Sequence, residues 1–156
     1  MTEAPDPIDD MVKNGPKSLN AFNKNIVDEF RANDGKVGGQ FANANLLLLT
    51  TTGAKSGHRR LSPLAYFRID GKLIIIGSFH GAPVSPAWVH NLRANPLAHI
   101  EVGAPQGVQA FDVTARELPS EERDALYPKV ATAAPAFAKS QAKTSRVIPL
   151  FELHRL

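Results

Sequence analysis

Residues 46–78 read LLLLTTTGAKSGHRRLSPLAYFRIDGKLIIIGS, and this stretch decides the fold. Two apolar runs, Leu46–Thr51 and Leu61–Ile69, flank a polar turn at Thr52–Arg59, and a third run, Lys72–Ser78, follows Asp70-Gly71. An Asp-Gly pair between two strand-like runs is a strong hairpin signal, because the tight two-residue turn needs positive φ at both positions. Two neighbouring antiparallel strands are therefore expected.

Upstream, Leu19, Phe22, Ile26, Val27 and Phe30 recur at steps of three and four, which predicts an amphipathic helix over residues 19–33. Ser18 is the expected N-cap and Gly35 the expected stop. Such a stripe usually packs on the body of its own domain; contact with a membrane surface through residues 19–30 is the other role it could serve. Residues 1–17, with Pro5, Pro7, Gly15 and Pro16, read as a flexible arm, and Asn33–Asn45 as a Gly- and Asn-rich connector. The expected organisation is that arm followed by a single domain, 18–156.

Downstream, Pro86–Ala94 predicts a helix with Ser85 as cap and Pro86 in its first turn, stopped by Asn95-Pro96. Leu97–Val102 and Val108–Glu117 read as strands; in the second, Phe111, Val113 and Ala115 alternate with Asp112, Thr114 and Arg116. A helix is expected from Ser120, broken or kinked at Pro128 and Pro135, and Val147–Leu153 is the expected last strand. Hairpins dominate and no regular βαβ alternation occurs. The class expected is mainly β with peripheral helices, in a small antiparallel barrel.

The chain has 156 residues, 43% hydrophobic and 21% charged, ordinary for one globular domain. It has no cysteine, which excludes disulfides, thiolate nucleophiles and sulfur-ligated metal clusters. The net charge of +3 conceals an asymmetry. The first ten residues carry four carboxylates and no Lys or Arg, so eighteen cations face eleven carboxylates in the rest. The body is basic, but too mildly for a dedicated nucleic-acid binder. With an acidic start and no apolar run near ~18 residues, the expected location is cytoplasmic, with membrane association left open at the first helix.

The richest segment for chemistry is Thr50–Arg60, a Gly-punctuated loop holding Lys55, Arg59, Arg60 and several hydroxyls. Backbone N–H groups and fixed cations in such a loop can hold phosphate or carboxylate, although a solvated hairpin turn has the same composition. It is not a nucleotide-triphosphatase loop, because Ala54 precedes the Lys and Leu49 stands where the first Gly would fall. Ser78 and His80 are candidate proton-transfer groups at a strand end. Trp88, the only tryptophan, fits either a binding role or packing of its helix on the sheet with Leu92. The five histidines are scattered, so no metal site is expected, and no Gly-x-Ser-x-Gly or Gly-x-Gly-x-x-Gly pattern occurs.

Leu-Leu-Thr-Thr-Thr-Gly-x-Lys-Ser-Gly-x-x-Arg over Leu48–Arg60, then Pro63, then Pro-x-Trp-x-x-Asn-Leu-x-Ala-Asn-Pro over Pro86–Pro96, resembles the deazaflavin-dependent nitroreductase family. These are split β-barrel reductases that use coenzyme F420, and the resemblance runs from about Leu19 to the C-terminus. It implies that Lys55 and Arg60 hold the phosphate and acidic oligoglutamate tail of F420, in a pocket shaped by Thr52, Gly53, Ser56, Gly57 and Arg59. It further implies that Pro63, Ile76, Gly77 and Ser78 wall the deazaflavin ring, with Ser78 as the hydrogen-bonding contact near the reactive atoms. Ala87, Trp88 and Asn91 correspond to a helix start that touches the phosphate and linker.

Where a close relative in the family carries Lys, this chain has Phe79, and substrate-pocket tyrosines fall on Ala65, Val130, Ala133 and Ala136. Tyr66 is adjacent but faces the other side of its strand. The activity implied is hydride transfer from reduced F420 to an electron-poor acceptor, a quinone, an enone or a nitroaromatic. The alternatives are an FMN-binding split-barrel oxidoreductase and a non-catalytic carrier of F420 or a hydrophobic ligand. A homodimer is compatible with either fold reading.

Overall fold

In a computed structural model of the chain, residues 16–39 and 45–156 are described, with side chains from residue 23 and excepting His80. The elements are α1 (Pro16–Ala32), β1 (Leu46–Thr52), β2 (Arg59–Ile69), β3 (Lys72–Ile76), a 3-10 turn (Phe79–Gly81), α2 (Ala87–Ala94), β4 (Leu97–Ala104), β5 (Gly107–Glu117), α3 (Ser120–Ala133), α4 (Pro135–Ala142) and β6 (Leu150–Arg155). All strand pairings are antiparallel, and the strands close a barrel in the order β1-β2-β3-β6-β5-β4. This is the fold class expected from the hairpin pattern.

The burial pattern explains why some strands alternate and others do not. Leu47, Leu49, Leu73, Ile75, Ile100, Val113, Phe151 and Leu153 fill the barrel. The intervening Leu46 and Leu48 lie under α1 with Ile26, Val27 and Phe30, while Ile74, Ile76 and Leu150 lie under α3 and α4. Both faces of β1 and β3 are therefore covered, and their sequences are continuous apolar runs. On β5 only the inner face is covered: Val113 is buried, with Phe111 and Ala115 packed beside it, and Asp112 faces solvent. The Asp70-Gly71 hairpin forms as read, with φ of 53° and 77°.

Several expectations need correction. The first helix already includes Pro16 and Lys17, so it starts ahead of Ser18, which is not its cap; the rest of the expected arm lies outside the described residues. Gly35 does close the helix, donating its N–H to Phe30 O at 2.8 Å behind Asp34 at φ 56°, the bonding of a Schellman stop. Ile26, Val27 and Phe30 are buried on the barrel, which is the packing role of the stripe; the side chains of Leu19 and Phe22 lie outside the described set. Pro128 does not break α3, which runs on to Ala133, and Pro135 starts α4 where its missing N–H is harmless. The third strand ends at Ile76 rather than Ser78, and the last spans Leu150–Arg155 rather than Val147–Leu153; Gly77 N still bonds Pro149 O, but Pro149 has no N–H to carry the ladder further. Among the described residues, no helix is long and apolar enough to cross a membrane.

A candidate cofactor cleft

Pairing around the barrel is uneven. β2 bonds β1 from Arg59 to Ala65, but bonds β3 only from Tyr66 to Ile69. Beyond the Tyr66–Ile75 pair, β3 pairs only with β6, and among the described residues no strand pairs the other edge of β2 over Arg59–Ala65. Pro63, which lacks an N–H, stands in this open edge, a position that proline tolerates in a strand. The open edge is the split of the barrel.

The cationic loop lies at one end of that edge. Gly53 N donates to His58 O at 2.7 Å, Gly57 N to Gly53 O at 2.9 Å and His58 N to Ser56 Oγ at 3.1 Å, so the loop is a closed turn. A Cβ at Gly53 would lie 2.7 Å from Ser56 Oγ and 3.0 Å from His58 O, so a side chain there would displace the Ser56 hydroxyl and crowd the His58 carbonyl. Lys55, Arg59 and Arg60 are all exposed, and among the described residues their side chains have no ion-pair or hydrogen-bond partner. Elsewhere the arginines are largely matched: Arg31 with Glu101, Arg93 with Glu117 and Arg116 with Glu122, each at 2.8 Å. The loop thus presents three unmatched charges, which suits a polyanion.

Asn91 is buried and holds this loop to α2. Its Oδ1 accepts from Ala54 N at 2.9 Å and its Nδ2 donates to Thr51 Oγ1 at 3.1 Å. Trp88 is also buried, edge-on to Phe151 at 5.7 Å inside the barrel, so its ring fills the core while Ala87 beside it is exposed. The expected Ser85 cap is absent: no side chain caps α2, and Ser85 Oγ instead accepts from Arg146.

Ile76 ends β3, and Gly77 and Ser78 follow directly on it. Ile76 belongs to the cluster that Phe67 and Phe137 join, and these two rings meet edge-to-face at 5.6 Å. A Cβ at Gly77 would come within 2.8 Å of both Pro149 and Val89, so this segment is closely packed there. Of the positions that match tyrosines in a relative, Val130 is buried in that cluster, Ala65 packs under α1, and Ala133 and Ala136 are exposed at the α3–α4 junction. Tyr66 packs with the barrel interior, on the face of β2 opposite Ala65. Among the described residues no group of His, Asp or Glu is arranged to hold a metal ion.

The residue missed in the sequence is Arg146. Its guanidinium donates to Gly77 O (3.0 Å), Ser78 O (2.9 Å), Ala82 O (3.2 and 3.3 Å) and Ser85 Oγ (3.2 Å). Burial pulls it below the ordinary guanidinium range, Arg93 acts in the same direction and Tyr127 opposes. Nothing in Thr144-Ser145-Arg146 marks it, since its acceptors are backbone carbonyls some 60 to 70 residues away in the chain.

A six-stranded antiparallel barrel with a loop of exposed cations belongs to the class of small split-barrel proteins that can offer fixed positive charge to a polyanion. Comparison with known proteins narrows that class. Residues 22–154 match the F420H(2)-dependent quinone reductase family, and the chain belongs to it. An F420H(2)-dependent quinone reductase of Mycobacterium tuberculosis strain H37Rv is 36% identical over 132 residues, which cover 81% of this chain and 85% of that protein. A solved F420-H2 dependent reductase (FDR-A) is 40% identical, with a TM-score of 0.59, over 70% of this chain and 94% of the other. A second structure, described as a domain-swapped dimer, is 35% identical with a TM-score of 0.62, over 90% of this chain and all of the other. The expected deazaflavin reductase class, with F420 as its cofactor, agrees with this membership.

Proposed function

We propose that this chain reduces quinones with F420H2, holding the cofactor's phosphate and acidic tail at Lys55, Arg59 and Arg60 and its ring in the split between β2 and the Ile76–Ser78 wall. The observation that carries the reading is the loop of three exposed cations without partners, closed over Gly53 and held by Asn91. Arg supplies planar forked donors and Lys a point charge, the two modes a phosphate and a string of carboxylates call for. Thr52, Ser56 and Gly57 shape the turn between them.

When bound, reduced F420 supplies a hydride, which a quinone takes up with one proton to become the hydroquinone while the deazaflavin loses its other proton. The protein's share is binding, orientation and exclusion of water. Pro63 and Ile76 would give the ring apolar walls, and Ser78 would offer it a polar contact. The Phe67–Phe137 pair and the alanines at 133 and 136 leave an apolar acceptor side without a dedicated acid, so the acceptor's proton comes from solvent. This favours a flat, apolar quinone over a nitroimidazole that needs polar anchors.

Lys55→Ala and Arg60→Ala test the reading. Each removes an exposed charge contact of about 0.5–1 kcal/mol, so F420 affinity falls roughly two- to fivefold per variant while turnover at saturating cofactor stays close to wild type. Unchanged affinity in both variants contradicts the assignment. The assembly reading is a homodimer, in line with the domain-swapped relative, and light scattering of the purified full chain decides it.

A further inference from the structure

All five guanidinium N–H groups of Arg146 are engaged, and all of their acceptors lie within nine consecutive residues, Gly77–Ser85. Four of the five bonds go to backbone carbonyls. Among the described residues no carboxylate pairs with this half-buried cation, and the charged or titratable groups that act on it are Arg93 and Tyr127. An arginine fully used to gather one stretch of main chain, with no counter-ion, acts as a clamp.

The clamp has a direction. Gly77 and Ser78 both turn their carbonyls toward Arg146, and the peptide bonds here are trans. In a trans peptide the following N–H points the opposite way, so the N–H groups of Ser78 and Phe79 face away from the guanidinium. Among the described residues neither donates to a backbone or side-chain acceptor. Phe79 sits at φ 42°, a conformation that costs a bulky residue energy and persists only where its surroundings impose it. Arg146 is itself held from behind: Gln141 Nε2 donates to Arg146 O at 2.7 Å, Gln141 Oε1 accepts from Ile148 N at 3.0 Å, and Arg123 bonds both Gln141 and Ile148 O.

We propose that Arg146 is the positioning residue of the cleft, fixing the peptide planes of Gly77–Phe79 so that this strap meets the flat ring in one orientation. This deepens the F420 reading and rests on it for the identity of the ring. Lys cannot replace it, because three donors on a single point cannot reach acceptors spread over the strap. Arg146 touches neither cofactor nor acceptor in this account; it acts through the strap.

Two measurements test the clamp in the full chain with Arg146→Gln and Arg146→Lys, and Ser85→Ala removes one acceptor as the milder control. Amide exchange on the cofactor-free proteins comes first: in both Arg146 variants the hydrogen-bonded amides of the strap, Gly77, Gly81 and Ala82, exchange about tenfold faster or more, while those of β1 and β4 hold wild-type rates. Equilibrium titration with F420 comes second: affinity falls about tenfold in both Arg146 variants and about twofold in Ser85→Ala, under conditions where the barrel amides remain protected. Strap exchange at wild-type rates, or affinity within about twofold of wild type in Arg146→Gln, overturns the proposal. If the wild-type chain binds no F420 yet the strap loosens as described, the clamp stands and the reading of its ligand fails.

Discussion

Asn91 on α2 and Thr51 on β1 are joined by a buried hydrogen bond of 3.1 Å, and the same amide takes the N–H of Ala54 at 2.9 Å. One side chain therefore ties the helix that plugs the barrel to the loop that carries the unmatched cations. Its role is to hold the loop's shape, leaving the ligand to the charges beyond it.

Asn91→Ala leaves the Thr51 hydroxyl and the Ala54 N–H without their partner in a buried setting, at a cost of about 1–3 kcal/mol. The melting temperature falls, and F420 affinity falls with it because the loop loses its anchor. Thermal unfolding and cofactor titration of the same preparation check both effects. Asn91→Asp restores only the acceptor for Ala54 and stabilises less than the wild-type amide.

At Gly77 the constraint is space. An added methyl would meet Pro149 and Val89 at 2.8 Å, and neither is the end of a flexible side chain. Gly77→Ala costs about 1–3 kcal/mol by overpacking and shifts the strap toward the open edge of β2. The expected kinetic signature is a raised KM for F420H2 together with a lowered kcat, in contrast to the affinity-only effect at Lys55.

The Phe67–Phe137 edge-to-face contact at 5.6 Å packs against the cluster that holds Ile76, the apolar side of the proposed site. Phe137→Ala removes one ring of the pair and about 3 kcal/mol or less of packing, since Phe137 is only partly buried. The proposal predicts a higher KM for alkyl-substituted quinones with little change in F420 affinity. Steady-state kinetics with a short and a long-chain quinone separates the two effects.

The Arg93–Glu117 pair links α2 to the end of β5 with two bonds, 2.9 and 2.8 Å. The hydrogen bond from Arg93 holds the Glu117 carboxyl below its ordinary range, with burial opposing. A depressed carboxyl contributes stability that is present above the unfolded value and disappears as pH falls through the folded one. Glu117→Gln therefore flattens the acid limb of stability below the usual carboxylate range, a small effect because both side chains are well exposed. Melting temperatures of the two proteins from neutral to acidic pH, converging at the acid end, are the check.

Much of this architecture is legible from local pattern. The Asp-Gly turn, the stripe of α1 and the alternation of β5 each follow from backbone preference and one-sided burial, and all three form. The cationic loop is visible as composition, while its lack of partners emerges only from the fold. What escapes the sequence is long-range. Ser85 looks like a helix cap, but the Arg146 guanidinium sits beside it and claims the hydroxyl; Pro128 looks like a break, but packing of Leu126, Tyr127 and Val130 carries the helix through. Trp88 offered two roles in sequence, and its contact with Phe151 inside the barrel shows that its ring packs the core.

The central claim is that the open edge and its cationic loop select a cofactor with an acidic tail. Equilibrium titration of the full chain with F420 and with FMN, at low and at high salt, tests it most directly. The account predicts F420 binding at least about tenfold tighter than FMN at low salt, with the gap narrowing as salt screens the exposed cations. FMN binding as tight as F420, or a preference indifferent to salt, would contradict it.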